Sequence, residues 1–287
     1  MIGVLFCTSD GYKDKLKGWF NMFSVKKGFM SLLLTAALAV SNSAFALTAD
    51  EIATQVDQRD DGDNGSSTMK MTLIDKHGNQ RVRSMKKFSK DFGEDTHSVI
   101  FFLEPSDVKD TAFLTYDYDD SSKDDDQWLY LPELRQTKRI VSSDKSGSFM
   151  GSDFSYADMT SRALEDYTYK LVKESEVRGN KVWIMEAKAK RQETIDETGY
   201  SKSYMFVRQD NFMVVRAVHF VTDGKRKYFD VKSSEQVDGI WVATQMEMTT
   251  KKGKVTLHKT VIDFDQIQFN QDFKERFFSV RRIEKGL

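Results

Sequence analysis

From residue 69 to residue 267, apolar side chains return at every second position in short runs broken by glycine and polar residues. Period two marks a β-strand, whose side chains point to alternate faces. The pattern predicts strands at 69–75, 80–89, 97–104, 111–118 and 126–134. It predicts more at 166–177, 181–190, 201–209, 212–223, 225–236, 239–249 and 254–267. Short turn signals separate several of them: Lys76-His77-Gly78-Asn79, Arg178-Gly179-Asn180, Asp223-Gly224, Asp238-Gly239 and Lys252-Gly253. Strands at that spacing make an antiparallel meander.

The two faces of these strands carry further information. In 239–249, Ile240, Val242, Met246 and Met248 oppose Trp241 and Ala243. In 181–190, Val182 and Ile184 oppose Trp183 and Met185. In 212–223, Val214, Val218 and Phe220 oppose Val215, Ala217 and Val221. A flat antiparallel sheet with one wet face is apolar on one side only. Strands apolar on both sides fit a strongly curved sheet wrapped around something.

Three segments carry a helical period instead. Thr48 and Glu51 have capping-box spacing, and Ala49, Ile52, Ala53 and Val56 then share one face, so a short helix ends near Arg59. A second helix is predicted over 155–166, with Ser155 as cap, Asp158 at the third helical position, and Tyr156, Met159 and Ala163 on one stripe. Near the C-terminus, Phe269, Phe273 and Phe277 stand four apart, which predicts a short helix whose aromatic stripe plugs one end of the sheet.

The first 46 residues read differently from the rest. Lys26 and Lys27 precede the apolar run SLLLTAALAV, and Ala44-Phe45-Ala46 closes the segment. A basic stretch, a short apolar core and an A-x-A site make a secretory signal peptide, with cleavage after Ala46. Met22 gives a more usual signal length than Met1. The apolar run is too short to span a membrane. Residues 47–287 are then a single domain, interrupted by Pro105 and Pro132 alone and by no linker-like stretch. The one cysteine, Cys7, falls in the leader, so the remainder has no disulfide and no thiol chemistry. Export without cysteine is more typical of a bacterial periplasm than of a eukaryotic secretory route. The whole chain carries −1; five Lys and two Asp fall in residues 1–46, so the remainder carries −4. Mild acidity argues against nucleic acid as a partner.

Candidate chemistry is sparse. The acidic run DYDDSSKDDD over 117–126 invites a calcium loop, but Ser122 and Trp128 stand where such a loop needs glycine and glutamate. A solvated hairpin tip is the better reading. His77, His97, His219 and His258 match no metal motif, and structural roles are expected for all four. The stretch around Gly147 to Ser152 is not G-x-S-x-G, and no phosphate-binding glycine loop is present. Neither an enzyme nor a cofactor is expected. What stands out is thirteen Met and 21 Phe. Met suits surfaces that accept variable apolar partners. Met150, Met159, Met185, Met205, Met246 and Met248 are therefore either ordinary core or the lining of a cavity for acyl chains.

Four motifs in order, "FFLEPSDVKDTAFLTYDY", "DQWLYLPELRQTKRI", "FMGSDFSYADM" and "LEDYTYKL", resemble the LolA-like outer-membrane lipoprotein-sorting family of Gram-negative envelopes. The resemblance covers nearly all of 47–287 and is closest to the branch associated with RND/MMPL-type inner-membrane transporters. It implies a mainly β fold: a strongly curved antiparallel sheet, an incomplete β-barrel, closed by helices. It implies an apolar pocket that takes lipid or the acyl chains of a lipoprotein. Its partners would be that cargo, an RND/MMPL-type transporter and an outer-membrane acceptor, with the chain itself a monomer in the periplasm. Phe149-Met150-Gly151 would be a mobile segment leading into a lid helix over 156–165; a static loop packed on the sheet is the alternative. The candidate cargo and lid residues are Phe149, Met150, Phe154, Tyr156, Met159, Trp128, Tyr130, Trp183, Met185, Met205, Met246 and Met248. The family's carrier latches its lid with an arginine from an early strand, and Arg81 and Arg83 are both candidates for that place. Two functions follow: a carrier between the membranes, or an envelope sensor or adaptor that binds lipid or mislocalised lipoprotein.

Overall fold

The computed structural model describes residues 47–287, so the signal peptide predicted over 1–46 lies outside the described residues. The chain opens with helix α1 (Ala49–Asp57). Strands β1 (Asn64–Asp75), β2 (Gln80–Phe92), β3 (Asp95–Glu104), β4 (Ala112–Asp117), β5 (Asp126–Leu131) and β6 (Gln136–Ile140) follow. A long connection over 141–166 leads to β7 (Tyr167–Val177), β8 (Asn180–Ala189), helix α2 (Gln192–Thr198), β9 (Tyr200–Arg208) and β10 (Val214–Val221). The chain closes with β11 (Arg226–Val237), β12 (Ile240–Lys252), β13 (Val255–Phe269), a 3₁₀ turn over Glu275–Phe277 and helix α3 (Val280–Lys285).

Among the described residues thirteen strands form one sheet in the order β6-β5-β4-β3-β2-β1-β13-β12-β11-β10-β9-β8-β7. All neighbours are antiparallel. The sheet is two meanders, joined where β1 pairs with β13 from Gly65↔Phe269 to Asp75↔His258. The predicted glycine turns have the required backbone. Arg178 and Gly179, and Asp238 and Gly239, all have positive φ, which is what a tight hairpin matching the strand twist needs. The sheet is not closed, because β6 and β7 are its two edges. This is the LolA-like incomplete barrel.

The strands are apolar on both sides because both sides are covered. In β3, Ile100 and Phe102 face the inner core with Met69, Met71, Met85 and Phe113. Val99 and Phe101 face outward, where Phe278 and Ile283 of the C-terminal segment cover them. In β8, Met185 packs under Ile52 and Ala53 of α1, while Val182 packs on the opposite side with Met213 and Val231.

Two predicted helices are corrected. The Asp158 carboxylate does reach back to the Ser155 amide, but the pair heads only a 3₁₀ turn over Tyr156–Met159. Thr160 is extended, and Ser161 turns its amide and hydroxyl to the Asp117 carboxylate. Thr and Ser are weak helix formers that bond elsewhere readily, and here tertiary partners win. The helix expected across Phe269, Phe273 and Phe277 also does not form as drawn. Phe269 is the last residue of β13, and Asn270 breaks the chain with φ +58, a conformation Asn tolerates. Phe273, Phe277 and Phe278 pack on the outer face against Phe88 and Phe92, not at an end of the sheet.

Candidate functional site

The connection over 141–166 joins the two edges of the sheet. It therefore has to cross the open side of the barrel, and its apolar residues turn inward. Phe149 is 1% exposed. Its ring lies 5.0 Å from Phe113, 6.2 Å from Phe102 and 5.7 Å from Tyr156. Phe154 is buried beside it. The backbone at this point needs an unusual turn: Met150 and Gly151 have φ +50 and +76, and the second suits glycine because no Cβ is present to clash.

Polar ties hold this plug from several directions. Asp153, 4% exposed, accepts from Thr260 Oγ1 at 2.7 Å and Thr250 Oγ1 at 2.5 Å and meets His258 Nδ1 at 2.7 Å. Its own amide donates to Thr260 Oγ1 at 2.9 Å. Gln127 Nε2 donates to the Tyr156 carbonyl at 2.9 Å. Ser161 donates to Asp117 through its amide at 2.8 Å and its hydroxyl at 2.9 Å. Lys145 pairs with Glu197 of α2 at 2.5 Å. Of the two early arginines, Arg83 is the one that reaches the plug: it is 9% exposed and donates to the Met150 carbonyl. Arg81 is exposed.

Beneath the plug lies a cavity of about 530 Å³, within the roughly 300–1,000 Å³ range of ligand pockets. Its lining comes from β1 to β4, from β7, from β9 to β13, from the plug and from α1. Strands that far apart in one sheet meet around a common space only if the sheet curls. The walls are largely methionine and aromatic: Met69, Met71, Phe113, Phe229 and Phe264 join the plug residues. A second, polar recess of about 390 Å³ adjoins it and shares Asp57, Ala157, Thr160, Ser161, Arg162 and Leu164 with it. That recess is bounded by the acidic hairpin after β4, so the apolar cavity ends in a charged mouth.

The structure gathers half of the predicted site. Phe149, Phe154, Met159, Met205, Met246 and Met248 line the cavity. Met150 and Tyr156 pack behind them in the plug. Met185 and Trp183 belong to the cluster beneath α1, where Trp183 stacks on Phe212 at 5.8 Å. Trp128 and Tyr130 lie on the outer face of the sheet with the C-terminal phenylalanines. The cause is the phase of β5: Leu129 and Leu131 take the inner face, so their neighbours must point out.

The polar members of the wall have no counterpart in the predicted set. Lys87 shares the inner face of β2 with Arg83 and Met85, in period-two phase. Burial pulls its ammonium below the ordinary lysine range, against Asp61 and Asp117, which act to raise it. Burial, then Asp125, pushes Asp117 up to about 6. Burial, then Asp119 and Glu165, also raises Asp57. His219 on β10 is held neutral, its pKa lowered to about 3 by burial and then by Arg162. Burial would raise Asp158, but Lys227, His219, the Ser155 amide and Arg162 bring it below its usual range.

A family model described as "Uncharacterized protein" matches residues 94–285. No match was found among curated proteins. Among solved structures, the chain is similar to a DUF1329 family protein from Desulfovibrio piger, with 31% identity over 82% of this chain and 97% of that one, at a TM-score of 0.74. It is similar at 28% identity and TM-score 0.74 to a domain from Vibrio parahaemolyticus named for outer-membrane lipoprotein sorting, over 82% of this chain and 98% of that one. A LolA superfamily protein from Nitrosomonas europaea shares the fold at TM-score 0.62 and 18% identity, over 82% of this chain and 99% of that one.

Proposed function

We propose that this chain, which belongs to the DUF1329 family, is a periplasmic carrier that holds lipid or lipoprotein acyl chains in the cavity under its plug. The observation that carries this reading is the cavity itself. It is large, lined by Met and aromatic side chains, and wrapped by one continuous sheet. The Vibrio parahaemolyticus relative, named for outer-membrane lipoprotein sorting, supports the same direction. Each acyl methylene moved from water into such a wall contributes about 0.8 kcal/mol. Binding is then non-covalent, and release needs the plug to shift or a partner to compete.

On this reading residues 1–46 are a signal peptide removed on export, and the remainder works as a monomer. Phe149, Phe154, Met159, Met205, Met246 and Met248 touch cargo. Arg83 and Asp153 hold the plug closed over it. An RND/MMPL-type inner-membrane transporter loads the carrier and an outer-membrane acceptor unloads it; both partners rest on the family resemblance. Native mass spectrometry of the protein purified from a periplasm without detergent tests the carrier. Discrete added masses matching lipids or an acylated polypeptide are the expected result. A bare protein mass that also stays bare after incubation with lipid vesicles overturns it.

A further inference from the structure

Among the polar side chains that line the apolar cavity, His219 and Arg162 stand together. His219 is 5% exposed and lines the cavity. Its Nδ1 lies 2.7 Å from Ser203 Oγ and 3.5 Å from an Arg162 nitrogen. Guanidinium can only donate, so the nitrogen it approaches is the bare one. The hydroxyl of Ser203, which Arg162 also approaches at 3.4 Å, donates to that same nitrogen. The imidazole proton therefore sits on Nε2, an assignment that follows from its neighbours. Nε2–H has no hydrogen-bond partner among the described residues. Burial keeps the ring neutral, so it acts as a fixed donor.

Arg162 reinforces it. Its guanidinium lines the cavity and lies over the Tyr167 and Tyr200 rings, at 5.8 and 5.7 Å. No carboxylate is within ion-pair distance of it among the described residues. The carboxylate whose charge it feels, Asp158, is bonded instead to Tyr200 and the Ser155 amide and is shared with Lys227. Asp158 is thus shared among several groups, while Arg162 stands where the apolar cavity meets the acidic recess. A donor and a cation at the wall of a largely apolar cavity favour a ligand that brings an acceptor to them.

We propose that Arg162 and His219 form a head-group site inside the cavity, which receives the carboxylate or phosphate of an anionic, single-headed amphiphile whose alkyl tail lies along Met205, Met246 and Met248. The proposal rests on the carrier reading and names its ligand class. The ligand's anionic oxygens accept from Nε2–H of His219 and from the guanidinium, and its tail replaces no polar contact.

The test compares ligands with one tail and different heads on the wild-type protein, by displacement of a fluorescent apolar probe. The set is hexadecanoate, monohexadecyl phosphate, hexadecanol and methyl hexadecanoate, with acetate and inorganic phosphate as tail-free controls. An anionic head is expected to bind about tenfold or more tighter than its neutral twin, the size of one charge-assisted hydrogen bond in a dry site. The tail-free anions should not compete. The better of the two anionic heads identifies the acid. Arg162→Met should bring the anionic ligands down to the level of their neutral twins, and Arg162→Lys should restore part of the preference. Equal binding of charged and neutral twins overturns the head-group site and leaves the carrier reading standing. Failure of every tailed ligand overturns both.

Discussion

Asp153 is an acid in an apolar segment, and its carboxylate meets three side chains of β12 and β13. Removing it leaves the Thr250 and Thr260 hydroxyls and the His258 ring without their acceptor in a buried place. Asp153→Ala should therefore lower stability by about 2–4 kcal/mol, the combined scale of charged hydrogen bonds and orphaned partners. Denaturant unfolding measures that cost, and amide exchange should show the extra opening concentrated at 149–156. Asp117 acts in the opposite sense. Its folded pKa, about 6, lies above the ordinary 3.8, so the folded state holds the proton more tightly than the unfolded one. The cost of its burial is absent below about pH 4, grows as pH rises towards 6, and is complete above that. It amounts to at most about 3 kcal/mol. Asp117→Asn can still bond both groups of Ser161 and carries no such charge. The stability difference between variant and wild type should thus shift in the variant's favour by that order between pH 4 and pH 7. A difference flat with pH would show that Asp117 is not a buried carboxylate in the folded protein.

At the scale of elements, the plug is an anchored segment rather than a helix. Phe149 sits in the inner core, so Phe149→Ala should destabilise by about 3–5 kcal/mol, and a charge there would disturb the fold. Met159 is half-buried at the cavity wall. Met159→Lys should instead weaken uptake of an alkyl ligand by tenfold or more with a melting temperature within a few degrees of wild type. Strands such as β8 and β12 were legible because their alternation and their glycine turns agree. β6 was not, since Gln136–Ile140 is a mostly exposed edge with little apolar signal. α2 was not, since Gln192–Thr198 is barely two turns, polar, with one buried residue, Thr194. The plug was misread as a helix because its sequence carries a real capping box, and only the distant partners Asp117, Ser203 and His219 show why the helix stops. Which face of β5 looks inward depends on its pairing with β4, so Trp128 and Tyr130 could not be placed from a strand that is apolar on both sides. Lys87 and His219 look like surface or core residues until the sheet curls them into one wall.

For the whole molecule, the decisive pairing is β1 with β13, residues just over two hundred positions apart at Ser66↔Gln268. It joins the two meanders, and the cavity exists only once it has formed, because the lining comes from both. A ligand in that cavity binds the folded state and has no site in the unfolded chain, so it must raise stability by mass action. At one hundred times its dissociation constant, the gain is about 2.7 kcal/mol. For a domain of about 240 residues this corresponds to a melting temperature higher by roughly 5–10 °C. The rise should follow the logarithm of free ligand concentration and should be lost when the cavity is filled from inside, as by Ala217→Phe. An alkyl ligand that leaves the melting temperature unchanged at saturating concentration would mean that the space beneath the plug is a packing defect of a curled sheet and holds nothing.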